Sequence, residues 1–135
     1  MKILAQSPDV EQAVVDYLTL ALAARAQTCT VGVAVPSTWQ AGSTPFVQVM
    51  LAGTPTVKYP ILAHASVQVT CWATNTSTAK ALALLCEGLL LSYMGDHRIA
   101  QIRSISGLLA TRDSATQAQL AGIVVRVTAR YQPLP

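Results

Sequence analysis

Two histidines, three cysteines and six carboxylates are the groups in this 135-residue chain that could do acid–base, nucleophilic or metal chemistry. His64 and Cys71 are the closest His/Cys pair. On a straight strand their seven-residue separation spans about 23 Å, and odd spacing puts them on opposite faces, so they cannot share a metal. Cys71 and Cys86 could meet in a core, but two thiols do not make a zinc site. Asp9 and Asp16, seven apart near a helix start, read as a solvated edge. His97, in the segment GDHR, has no partner nominated by the sequence and reads as a solvated loop residue. Phosphate-loop, dinucleotide, nucleophile-elbow and H-E-x-x-H motifs are missing. The expectation is therefore no catalytic residue, no cofactor and no metal: a non-enzyme.

The elements that would carry these residues follow from periodicity. Ser7-Pro8-Asp9 opens a helix to about Ala26, with Ser7 as cap and Pro8 in the first turn. Val10, Ala13, Val14, Tyr17, Leu18, Ala21 and Ala24 share its apolar face, with Val15 and Leu22 off it. Thr28–Val35 reads as a strand ended by Pro36, followed by a loop to Pro45 and a second strand, Phe46–Ala52. After a turn region, Gly53–Pro60, a third strand runs Ala63–Ala73. It turns Ala65, Val67, Val69, Cys71 and Ala73 one way and His64, Ser66, Gln68, Thr70 and Trp72 the other. A second helix, about Thr78–Met94, is closed by Gly95. Its main apolar face holds Leu82, Leu85, Cys86, Leu89, Leu90 and Tyr93, while Leu84 and Leu91 form a stripe almost opposite. Gly88 leaves room for another backbone. A polar loop, Asp96–Gln101, leads to a strand over Arg103–Ala110 with an irregularity at Gly107. A hairpin tip, Thr111–Ala118, and a last strand, Leu120–Tyr131, complete the chain. On that last strand Ile123, Val125, Val127, Ala129 and Tyr131 face in, and Arg126, Thr128 and Arg130 face out. The order α-β-β-β-α-β-β implies an α+β fold, a mainly antiparallel sheet flanked by two helices, in one domain over residues 1–135.

Composition points to assembly. Apolar residues make up 52% and charged residues 11%, against about 25% charged in ordinary domains. A chain of this length can bury roughly 65–70% of its unfolded surface without staples, so part of the apolar excess is available for subunit contacts. Net charge is +3 with a pI near 9.0, but the basic residues are scattered, unlike the footprint of a dedicated nucleic-acid binder. An odd cysteine count without CxxC suits a reducing compartment. The N-terminal apolar run is too short for a signal peptide, and no window reaches the roughly 18 apolar residues of a membrane span. These features imply a soluble protein made in the cytoplasm, with no membrane partner.

Candidate interface residues come from what the core pattern leaves over. Trp39 and Trp72 are anchor types. Leu84 and Leu91 lie off the main helix face, Arg112 and Asp113 stand at the hairpin tip, and Arg126 and Arg130 flank Thr128 on an outward face.

Three segments carry a resemblance: V-x-V-P-x-x-W over Val33–Trp39, the strand end Cys71-Trp72-Ala73 before an alanine- and leucine-rich helix, and the Arg112-Asp113 hairpin before the last strand. In this order, along nearly the whole chain, the sequence resembles the tail terminator and related head-to-tail joining (neck) proteins of long-tailed phages. The resemblance implies a fold related to tail-tube subunits. It also implies a structural virion protein that forms a hexameric ring at the tail–head junction, caps the tail tube, ends its growth and joins it to the head connector. The implied partners are five further copies of the chain, the major tail tube protein, the head–tail connector or stopper, and genomic DNA passing through the lumen. A connector, stopper or tube subunit is the neighbouring reading, and a small ligand-binding domain or enzyme the more distant one. The loops Pro36–Pro45, Gly53–Pro60 and Thr111–Ala118 would make the axial contacts. One departure is charge: such rings often have an acidic channel wall, whereas this chain is net basic.

Overall fold

The computed structural model describes residues 3–40, 42–52 and 56–134. Two helices lie on one face of a mixed sheet, giving an α+β fold. The elements are β1 (Ala5–Gln6), α1 (Val10–Ala24), β2 (Thr30–Gly32), β3 (Phe46–Leu51), β4 (Thr56–Lys58), β5 (Leu62–Ala73), α2 (Thr76–Leu91), β6 (Ile99–Arg112), β7 (Gln119–Arg130) and β8 (Gln132–Pro133). The main sheet has the order β2-β3-β5-β7-β6, with β4 added beside β5, and β1 pairs separately with β8. Among the described strands only β2–β3 is parallel.

The helix boundaries have local causes. Asp9, not Ser7, caps α1: its backbone is extended and its carboxylate accepts the Gln12 N–H at 3.1 Å. Pro8 therefore stands outside the helix, and the Ser7 hydroxyl turns to the Pro8 carbonyl. The helix ends at Ala24, short of Ala26, because Ala26 takes a left-handed φ of 57°. The Gln27 N–H then closes back on the Leu22 carbonyl at 3.0 Å, the usual way such an end satisfies orphan carbonyls. Leu22, placed off the apolar face by sequence, is fully buried. The buried ridge runs Val10, Val14, Leu18, Leu22 at four-residue steps. For α2 the cap is Asn75, whose side chain accepts the Thr78 N–H at 2.8 Å, and the helix stops at Leu91.

The strand expected over Thr28–Val35 is only three residues long. Gly32 is followed by a bend, and the Phe46 ring lies 3.1 Å from where a Gly32 Cβ would stand. The short strand can lie beside β3 because position 32 has no side chain. The Gly53–Pro60 turn contains β4. Gly53, Thr54 and Pro55 themselves, like Ala41 in the preceding loop, lie outside the described residues. The last hairpin is longer than its pattern suggested. β6 starts at Ile99, inside the expected Asp96–Gln101 loop, and β6 and β7 extend to Arg112 and Gln119. Register shifts fall at Ile99/Gln101, Ser104/Ser106 and Ser106/Leu109, the last bracketing Gly107.

One core lies between the sheet and the helices. β5 contributes Ala65, Val67, Val69, Cys71 and Ala73, and β7 contributes Ala121, Ile123, Val125, Val127 and Ala129. α2 covers these strands with Ala79, Leu82, Ala83, Cys86 and Leu90. α1 covers Val47 and Val49 of β3. A second cluster, Trp39, Phe46 and Ala118, sits at one end of the opposite sheet face with Val35, Trp72 and Leu120 against it.

Entry into β6 is fixed by Asp96. Its carboxylate accepts the Arg98 and Ile99 N–H groups at 2.7 and 2.8 Å and lies 3.8 Å from the Arg98 guanidinium. Gly95 beside it has φ 94°, and a Cβ there would meet the Ala100 carbonyl at 2.9 Å. Partial burial pulls the Asp96 pKa upward, but it is outweighed by hydrogen bonds from the Tyr93 hydroxyl and the two amides and by the Arg98 charge, so the net direction is down. The folded value thus lies below the unfolded one. This contribution to stability is present above about pH 4 and is lost as pH falls through the folded value. Asp96→Ala is expected to cost about 1.5–3 kcal/mol in urea melts at pH 7 and to flatten the acid limb of the pH–stability curve. An unchanged acid limb would show that Asp96 is not its source.

Candidate functional site

The sheet face turned away from the helices is only partly covered, and it is the candidate site. Because β5 and β7 alternate, everything opposite the core points here. From β3 come Gln48 and Met50, from β5 Gln68, Thr70 and Trp72, and from β7 Leu120, Gly122 and Val124; the β6 side of the hairpin adds Ser106 and Leu109. Together they line an open groove of about 490 Å3 with a largely apolar floor. Leu109 is 69% exposed and Met50 is also open to solvent.

Trp39 and Trp72 close one end. Their rings meet edge to face, with centroids 5.8 Å apart and planes at 72°. Trp72 is half-buried and its indole N–H donates to Gln48 Oε1 at 3.2 Å. Trp39 is only 6% exposed and donates to the Thr44 carbonyl at 2.9 Å. Within the single chain, then, Trp39 packs the loop onto the sheet and presents little surface to a partner, whereas Trp72 is a wall of the groove.

Beyond the groove the same face turns basic. Arg103 of β6 and Arg126 of β7 are direct cross-strand partners, and Arg126 is opposed on its other side by Ser66. Both arginines are exposed. Neither takes part in an ion pair among the described residues, where only Arg98 does. Arg130 donates through Nε to the Asp96 carbonyl at 3.2 Å. Thr128, expected outward, does lie on this face but is 4% exposed, with its hydroxyl 3.0 Å from His64 Nδ1.

The remaining sequence candidates fall elsewhere. Leu84 and Leu91 are 51% and 43% exposed on the outer surface of α2, on the far side of the molecule from the groove. Arg112 and Asp113 form the hairpin tip: Arg112 reaches Gln117, and the Asp113 carboxylate accepts the Thr116 N–H and hydroxyl at 2.9 and 2.6 Å. These bonds hold the Asp113 carboxyl below its ordinary range and fix the turn. Leu20, Met50, Ile105 and Leu109 are exposed apolar residues that the sequence did not single out.

Among the described residues the one His/Cys pair close in sequence stays apart. His64 points out and Cys71 points in, as their odd spacing requires. Cys71 and Cys86 meet in the core. A hydrogen bond between the thiols, and then burial, push the Cys71 pKa up. Burial also raises that of half-buried Cys29, with a smaller contribution from Cys86. Thiols held protonated in this way are weak nucleophiles and weak metal ligands. Among the described residues no three His, Cys, Asp or Glu side chains come together to hold a metal ion. A second cleft, of about 420 Å3 beside the start of α2, is lined by Gln27, Thr28, Pro45, Ser77, Thr78, Ala81, Leu82 and Leu85, none of them an acid or a base. No described helix is long and apolar enough to cross a membrane.

The arrangement can bind through shape and apolar area, with arginines at one margin. No known family model matches the chain, and no curated protein proves similar to it.

Proposed function

We propose that this chain is a ring-forming structural subunit of a phage tail, placed at the tail–head junction, where a hexamer caps the tube and meets the head connector. The observation that supports this reading best is the pair of open apolar surfaces on opposite sides of one thin domain: the sheet groove with Met50 and Leu109, and the outer side of α2 with Leu84 and Leu91. Monomers seldom leave two such surfaces uncovered. Different patches on opposite sides favour head-to-tail contacts, which close into a ring when the rotation permits. Obligate contacts of this type bury about 2,000 Å2 or more. The tail location comes from the sequence resemblance. Termination would then be geometric, one ring face matching the last tube ring and the other docking the connector.

Native mass spectrometry of the full chain, followed by imaging of intact tails with the chain labelled, tests this reading. The expected outcome is a closed six-subunit species in solution and a single ring per tail at the head end. Label repeated along the tube would instead make it a tube subunit. A chain that stays single at every concentration and never enters tails would overturn the reading.

A further inference from the structure

We propose that the self-contact runs between the outer stripe of α2 on one subunit and the open sheet face of the next, with Glu87 seated on the Arg103–Arg126 pair. This rests on the ring reading above and names its contact.

Three observations converge on it. First, Arg103 and Arg126 face each other across the β6–β7 ladder, where like charges are destabilising. All six carboxylates of the chain stand away from this face: at α1 and its cap, on α2, before β6 and at the hairpin tip. An acid brought by a partner would relieve the pair. Second, Glu87 is the only acid on α2, and it lies between Leu84 and Leu91 on the outer stripe with no ion pair among the described residues. Third, Gly88 sits beside it in the interior of the helix, exposed, and a Cβ added there would meet nothing within 4 Å. Glycine within a helix is destabilising relative to alanine, and nothing among the described residues requires it. Close approach of another backbone does.

The dimensions agree. Leu84 and Leu91 lie about 4.5 and 6 Å along the helix from Glu87 at 1.5 Å per residue. Val124, on the groove floor, is about 7 Å along β7 from Arg126 at 3.3 Å per residue. A leucine over Val124 therefore places Glu87 near Arg126, while the other leucine reaches past the arginine pair. The exposed leucines gain an apolar floor, the unpaired acid gains two guanidinium groups, and Gly88 lets the helix settle on the sheet. Donor and acceptor surfaces lie on opposite sides of the subunit, so the contact is heterologous and a second copy of this chain can use it repeatedly.

Charge exchange tests it. Sedimentation velocity on the full chain would compare the unaltered protein, Glu87→Arg, Arg126→Glu and the two combined. Each single reversal should weaken self-association roughly 30-fold or more, and the combination should recover most of the loss. Gly88→Ala should raise the melting temperature of the separated subunit while weakening association, a pairing of effects that a misfolded variant cannot produce. Rings that form equally well in the single variants would remove this contact and leave the ring reading standing. Failure of the double variant to recover would also overturn the Glu87–arginine contact, as would Arg126→Glu reducing retention on duplex DNA without touching association. An unaltered chain that never associates overturns both proposals.

Discussion

Trp39→Ala is expected to cost about 3–5 kcal/mol, the range for removing a buried tryptophan. Three losses combine. The ring is 6% exposed among Phe46, Ala118, Val35 and Leu120, so truncation leaves a cavity. The edge-to-face contact with Trp72 disappears, worth about 0.5–1.5 kcal/mol of that total. The Thr44 carbonyl loses its indole donor, which adds desolvation cost if no water replaces it. Because this cluster lies on the opposite face from the main core, the damage should be local to the loop and the groove end. Trp72 is then the only tryptophan left, and its fluorescence should shift to the red as its shield is lost. An unfolding free energy from urea melts within about 1 kcal/mol of that of the unaltered protein, with no spectral shift, would show that the loop is held by something other than Trp39.

The face assignments were legible in the sequence because they follow from the two-residue period of a strand. The inward run Ala65, Val67, Val69, Cys71, Ala73 and the outward run ending in Trp72 needed no tertiary information. For the same reason the separation of His64 from Cys71 could be read directly. Leu84 and Leu91 also stood out, since helix geometry alone sets them opposite the buried face. Boundaries were less legible. The α1 cap depends on whether Ser7 or Asp9 reaches an amide, and β2 is cut short at a glycine under the Phe46 ring, a contact fourteen residues away. The groove was not legible at all. It needs β3, β5, β7 and β6 side by side in one register, and the juxtaposition of Arg103 with Arg126 depends on register shifts in β6, of which only the irregularity at Gly107 could be read from the sequence. Trp39 illustrates the same limit: its type suggested an anchor for a partner, but long-range packing uses it as a plug for its own chain.

The sharpest test of the core is a contrast within one helix. Leu18→Ala is expected to cost about 3 kcal/mol, whereas Leu20→Ala should change subunit stability by no more than about 0.5 kcal/mol. The two side chains have the same size and stand two residues apart. Leu18 is fully buried on the four-residue ridge of α1, and Leu20 is 74% exposed on its other side. At this chain length a loss of 3 kcal/mol corresponds to about 10 °C in melting temperature. α1 reaches the sheet through β2 and β3 at the edge, so a loosened α1 would uncover Val47 and Val49 while α2 keeps its grip on β5 and β7. Hydrogen exchange should therefore rise first in α1, β2 and β3. The measurement belongs at protein concentrations low enough to keep subunits apart, since a ring that binds only the folded chain would raise the melting point by mass action and mask the difference. Equal losses for Leu18→Ala and Leu20→Ala under those conditions would mean that α1 does not pack on the sheet by the face described.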